Sequence, residues 1–164
     1  GGRVTVEGST VPLFDIALGM NQESTGYENI LLRGLFLGLP RRKIRAMMDE
    51  IAEFTELGDF LDLPIRTYSA GMQMRLAFAV STSVVPDILL LDEGIGAGDA
   101  SFLHKARERL ERFTERVSII VLSSHSEDLV RSMCSKSLLM EHGRVVFAGP
   151  TDEALERYRA MRGW

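Results

Sequence analysis

Two adjacent carboxylates, Asp92-Glu93, close the apolar run Ile88-Leu89-Leu90-Leu91. Four apolar residues bounded by turn formers suit a strand buried on both faces, and open α/β sheets place their ligands at the C-terminal ends of such strands. Neighbouring side chains on an extended segment point to opposite sides, so the pair divides its work. Asp92 can hold a hydrated Mg²⁺, directly or through water, and Glu93 can face an attacking water as general base. Upstream, Ser69 is a natural N-cap and Gly71 keeps the first turn of the following helix bare. A capped helix N-terminus with small residues favours phosphate through its free N–H groups and positive dipole end. His125 follows a second apolar run, Val117–Leu122, at a strand end beside the carboxylates. Taken one at a time, these are equally a capped helix, a solvated acidic strand end and a structural histidine.

The elements that must position these groups are legible in outline. Met72, Leu76, Ala79, Val80 and Ser83 share one face of a helix that Pro86-Asp87 ends. Arg3–Gly8 alternates like a strand, Val11–Leu18 reads as a second extended piece, and residues 19–26 form a polar, Gly-bounded loop. A short helix is predicted over Glu28–Leu39. A second starts at Pro40, where Ile44, Met47, Met48, Ile51 and Phe54 make an apolar face and Gly58 is the stop. Its charges run against the helix dipole: Arg41, Arg42, Lys43 and Arg45 lie at the positive end, Glu50, Glu53 and Glu56 at the negative end. That order fits either a tolerant surface helix or a docking surface for another subunit. Asp59–Thr67 reads as a linker. Ala100–Arg116 is an amphipathic helix with Phe102, Ala106, Leu110 and Phe113 inward. Glu127–Met133 is a short helix, Ser137–Met140 and Val145–Ala148 form a hairpin about His142-Gly143, and a final helix opens at Pro150-Thr151.

Composition excludes several classes. The 164 residues carry a net charge of −4 with 45% hydrophobic content, so no basic bias suggests a nucleic-acid partner. No apolar run approaches the roughly 18 residues of a membrane span, and no signal peptide is expected. The single cysteine, Cys134, cannot form an internal disulfide and reads as a buried apolar side chain. The three histidines lack metal-ligand spacing, so no zinc site is expected.

Together these stretches resemble the nucleotide-binding domain of ABC transporters. Tyr68-Ser69-Ala70-Gly71-Met72 looks like the signature motif, Ile88–Glu93 like the Walker B strand with its catalytic glutamate, Gly98-Asp99 like the D-loop, and Ser124-His125 like the switch histidine. The YS-x-GM signature, the EGIGAGDASF continuation and the EHGRVVFAGP tail resemble the subgroup that exports bacterial O-antigen, capsule or teichoic-acid chains. The resemblance runs from about Val4 to about Tyr158. It implies an α/β P-loop NTPase fold of ABC type, incomplete at its N-terminus. Residues 1–26 would be core strands and a coupling loop, 27–85 an α-helical signature subdomain, and 86–164 the catalytic half. It implies ATP and Mg²⁺ as ligands, a transmembrane permease and a second copy of the chain as partners, and a place at the cytoplasmic face of the bacterial inner membrane. The signature residues Tyr68 to Met72 and Asp99 would contact nucleotide, Asp92 would organise Mg²⁺, and Glu93 and His125 would be catalytic. In the family a loop like 19–26 couples the γ-phosphate to the permease, often through a glutamine. Gln22 is the only one near, and its spacing to Thr25-Gly26 departs from the usual pattern.

One motif of that family is not found. The only lysines are Lys43, Lys105 and Lys136, and only Lys136 precedes Ser, with Ser135 and Val130 where the glycines of a GxxxxGK loop should stand. The expectation is therefore a partial domain that by itself binds Mg-ATP no tighter than millimolar and does not hydrolyse it. Two other readings compete: the C-terminal lobe of a DNA-repair or chromosome-maintenance ATPase, and a non-catalytic interaction module.

Overall fold

The computed structural model describes residues 3–13, 18–92 and 100–162. Three parallel strands form its sheet, in the order β1 (Thr10–Pro12), β2 (Ile88–Asp92) and β3 (Ile119–Ser123). The first pairing is pinned by Asp87, whose carboxylate accepts from the Ser9 amide and hydroxyl, each at 2.8 Å. Those bonds hold the Asp87 carboxyl below the usual carboxylate range. Residues 3–7 form no strand and Val4 is exposed, so the expected strand over Arg3–Gly8 is replaced by the short β1.

Between β1 and β2 lies a helical unit: α1 (Gly26–Phe36), α2 (Arg41–Ala46), α3 (Met48–Thr55), two 3₁₀ turns (Gly58–Asp62 and Ile65–Thr67) and α4 (Ala70–Ser81). Thr25 and Glu28 close a full capping box on α1, which fixes its start earlier than apolar periodicity alone suggests. The expected single helix after Pro40 is two, broken at Met47 (φ −106°, ψ 0°), and α3 stops at Glu56 in the left-handed region rather than at Gly58. The expected linker, Asp59–Thr67, is mostly exposed but contributes two side chains to the core. Leu61 and Ile65 are buried with Ile30, Ile44, Ile51, Leu76 and Val80 in one cluster, each fully buried side chain stabilising by about 1.5–3 kcal/mol.

A second cluster joins Val11, Leu13, Leu89 and Leu91 to Phe113 on α5 (Ala100–Thr114). Phe102 and Ala106 of α5 meet Phe78 of α4, and the Phe54, Phe78 and Phe102 rings lie 5.7–6.2 Å apart, joining helical unit to sheet layer. After β3 come α6 (Glu127–Met133), the antiparallel hairpin β4 (Lys136–Glu141) and β5 (Arg144–Pro150), and α7 (Thr151–Arg162). His142 and Gly143 both take positive φ, as a two-residue hairpin turn requires. Cys134, expected to be buried, is half-buried beyond α6. The second apolar run, Val117–Leu122, reads as a buried strand, but β3 is covered on one face only, with Ile119 52% and Val121 53% exposed.

Candidate functional site

The signature stretch is a rigid turn. Ser69 takes an extended backbone (φ −66°, ψ 161°), and its hydroxyl accepts from the Met72 amide at 3.2 Å, capping α4. Tyr68 anchors the turn from below: its ring is buried and its hydroxyl donates to the Phe60 carbonyl at 2.6 Å. Burial, then the nearby Asp62 and Tyr27, pushes the phenol up to about 12. Ser69 and Ala70 are exposed. A Cβ built on Gly71 would meet nothing nearer than the Ser69 hydroxyl at 3.8 Å, so packing within this chain does not require glycine there.

This turn forms one wall of a pocket of about 290 Å³ lined by Ser69, Gly71, Met72, Arg75, Glu56, Leu57 and Phe60. Arg75 stands one helical turn beyond Gly71, 3.8 Å from Glu56 and stacked over the Phe102 ring at 4.8 Å. Lys105 of α5 donates to Glu56 at 2.7 Å, and that bond holds the Glu56 carboxyl below its usual range. The place of Arg75 and Glu56 beside Ser69 is not apparent from the sequence. The i+4 spacing of Arg75 from Gly71 was visible, but the Glu56 backbone reversal was not.

Asp92 ends β2 in register with Ser123, the last residue of β3, and its side chain is exposed. His125 lies two residues past Ser123, so Asp92 and His125 stand at the same carboxyl end of the parallel sheet. His125 lines a cleft of about 270 Å³ with Glu127, Tyr158, Arg159 and Arg162. Arg159 Nε donates to Glu127 at 2.8 Å, which lowers the Glu127 carboxyl and fastens α7 to α6. The cleft shares no lining residue with the pocket at Ser69. Glu93 and Asp99, the remaining expected site residues, lie outside the described residues.

At the sheet end Asp92 offers one exposed carboxylate, an oxygen ligand of the kind a hydrated Mg²⁺ takes, and no cluster of three or more metal-ligating side chains is present among the described residues. The turn at Ser69 fits a phosphate, with a bare helix start opening on a pocket. Among the described residues no helix is long and apolar enough to cross a membrane.

Comparison with known proteins agrees with this architecture. The chain is 45% identical over 144 residues to the O-antigen export system ATP-binding protein RfbE of Yersinia enterocolitica, covering 88% of this chain and 60% of that protein. It is 41% identical to the O-antigen export system ATP-binding protein RfbB of Myxococcus xanthus, covering 96% of this chain and 36% of the relative. With the teichoic acids export ATP-binding protein TagH of Listeria monocytogenes it shares 39% identity, covering 99% of this chain and 48% of the relative. The chain thus spans between about a third and three-fifths of these relatives. Two solved structures share the fold at lower identity: an ATP-binding subunit of an ABC transporter (TM-score 0.68, 21% identity, covering 95% of this chain and 64% of that one) and cbiO1 of Clostridium perfringens (TM-score 0.58, 24% identity, covering 94% and 62%). The family described as ABC transporter matches residues 6–96, from before β1 through the carboxylate pair. With that match spanning more than half its length, this chain belongs to the ABC transporter family.

Proposed function

We propose that the chain is part of the ATP-hydrolysing subunit that powers export of a cell-surface polysaccharide across the bacterial inner membrane, working as a pair of copies beneath a transmembrane permease. The observation that carries the nucleotide role is the signature turn: an exposed N-cap, a glycine that packing does not require, and a pocket opening from both. The substrate class rests on the relatives named for O-antigen and teichoic-acid export. Membership of the ABC transporter family favours this reading over the DNA-repair type of ATPase and the non-catalytic module.

In this reading Ser69 and Gly71 of one copy bind the γ-phosphate of ATP held mainly by the other. That the Ser69 pocket and the His125 cleft share no lining residue fits a site completed by two copies. Asp92 would hold Mg²⁺, which when bound neutralises phosphate charge. Glu93 orients the attacking water and accepts its proton, and His125 stabilises the transferring phosphoryl group. Tyr68 and Met72 fix the turn, and Asp99 would contribute a further contact to nucleotide.

The test is Glu93→Gln in the full-length protein, because an amide cannot accept the proton. ATP binding is expected to persist while hydrolysis and export stop, and light scattering is expected to show a dimer that stays closed with ATP. Turnover within about tenfold of wild type, a barrier change of only about 1.4 kcal/mol, removes Glu93 from the base role.

A further inference from the structure

Helix α1 buries two polar side chains one turn apart, Asn29 at 0% and Arg33 at 1% exposure. Asn29 clamps the loop before the helix. Its amide nitrogen donates to the carbonyls of Asn21, Ser24 and Thr25 at 2.9, 3.0 and 2.9 Å, and its oxygen accepts from the Asn21 amide at 2.7 Å. Arg33 reaches two elements at once. Nη1 donates to the Leu18 carbonyl at 2.5 Å, while Nε and Nη2 both donate to the Ser81 hydroxyl, at 2.9 and 2.8 Å. Ser81 in turn donates to the Ala77 carbonyl at 2.8 Å, inside α4.

Burying a guanidinium is costly, and an apolar side chain of the same length would fill the space more cheaply. What it would not do is hold loop and helix together: the rigid, planar fork of donors is what spans both. Ser81 ends the same helix that Ser69 caps, and α4 is nearly all buried over its last six residues, so the two ends move as one rod. At about 1.5 Å per residue the rod spans roughly 16 Å between Ala70 and Ser81.

We propose that Arg33 is a positioning residue: it locks the loop from Leu18 to Thr25 to the far end of α4, and so sets where Ser69 and Gly71 stand relative to the nucleotide. This rests on the reading of Ser69 and Gly71 as phosphate contacts. Arg33 touches no reacting atom, and its effect passes through helix α4.

Full-length protein carrying Arg33→Met, Arg33→Lys or Ser81→Ala is compared with wild type by hydrogen exchange and by ATP turnover. With Arg33→Met, exchange in segments 18–25 and 68–73 rises about tenfold or more, while β2 keeps its protection. kcat falls at least tenfold, and KM for ATP stays within about twofold. Arg33→Lys gives an intermediate result, since a single ammonium cannot serve both ends. Ser81→Ala, the milder change, loosens the same two segments and decides the matter if Arg33→Met does not fold. Loosening of 18–25 with wild-type protection at 68–73 makes Arg33 a local loop anchor and overturns the proposal. Loosening that extends to β2 makes it a core strut and also overturns it. If wild-type protein hydrolyses no ATP, the functional reading fails, while the exchange pattern still decides whether Arg33 positions α4.

Discussion

Tyr68 illustrates how a single residue ties the candidate site to the scaffold. It precedes the N-cap Ser69, and its hydroxyl bond to Phe60 pins the turn to the first 3₁₀ segment. Gly26 at the start of α1 has no room for a Cβ because Tyr68 and Leu61 press against it, so the same ring also seats α1. The phenol ordinarily titrates near 10.0, and burial raises it to about 12. The raised value means that the fold favours the neutral form. The stability this contributes is complete below pH 10.0 and is lost as pH rises toward 12. Tyr68→Phe is expected to cost about 1 kcal/mol at neutral pH through the lost hydrogen bond, and to flatten the alkaline decline. Denaturant melts across this range check it; an equal gap between variant and wild type at every pH removes Tyr68 as the alkaline group. At this scale the Ser69 cap and the place of Asp92 at a strand end were legible, because cap chemistry and a strand-end carboxylate are local signals. Arg33 was not, since nothing in an Arg on a helical pattern announces a serine 48 positions away.

The same limit recurs for whole elements, and there it changed a conclusion. Ile44, Met47, Met48 and Ile51 keep helical spacing straight through the break at Met47, so periodicity cannot show that two helices meet there. Once they are separate, the reversed charge order is reduced but not removed: Arg41 and Arg42 still open α2, and Glu53 still stands in the last turn of α3. Lys43 and Arg45 fall in the last turn of α2, and Asp49 and Glu50 in the first turn of α3, both favourable to the dipole. Glu50 and Glu56 are further engaged by Arg109 and Lys105 of α5, at 3.5 and 2.7 Å. The smaller dipole penalty therefore adds little to the case for a docking surface. What remains is an exposed cationic run, Arg41, Arg42 and Lys43, with no ion pair among the described residues. Replacing all three by Glu is expected to change stability by less than about 1 kcal/mol, as surface sites do. If the run meets an acidic permease surface, export in cells should stop while ATP turnover continues. Unchanged export returns α2 to an ordinary solvated helix.

For the molecule as a whole, what went unread was coverage. Apolar β-runs identify strands but not what lies over them, and a parallel sheet is normally buried on both faces. Here Leu89, Leu91 and Phe113 fill one side, whereas Ile119 and Val121 of β3 remain half-exposed, and so do Leu138 and Met140 on the hairpin, at 66% and 59%. Apolar surface of this kind drives association in water. These 164 residues contain no GxxxxGK followed by Ser or Thr, and in proteins of that type most of the affinity for ATP comes from such a loop. The remaining groups are a helix start, an exposed carboxylate that repels phosphate without metal, and one histidine. Each contact contributes about 1–3 kcal/mol at best, against an association cost of at least about 4 kcal/mol. The chain of 164 residues by itself is therefore expected to bind Mg-ATP no tighter than millimolar, near −4 kcal/mol, to hydrolyse none, and to self-associate. Calorimetric titration with Mg-ATP, alongside sedimentation of the same sample, checks both halves. Micromolar binding by a monodisperse monomer would show that some stretch assigned here to scaffold is holding phosphate, and the Arg75–Glu56 pocket beside Ser69 would be the first place to look.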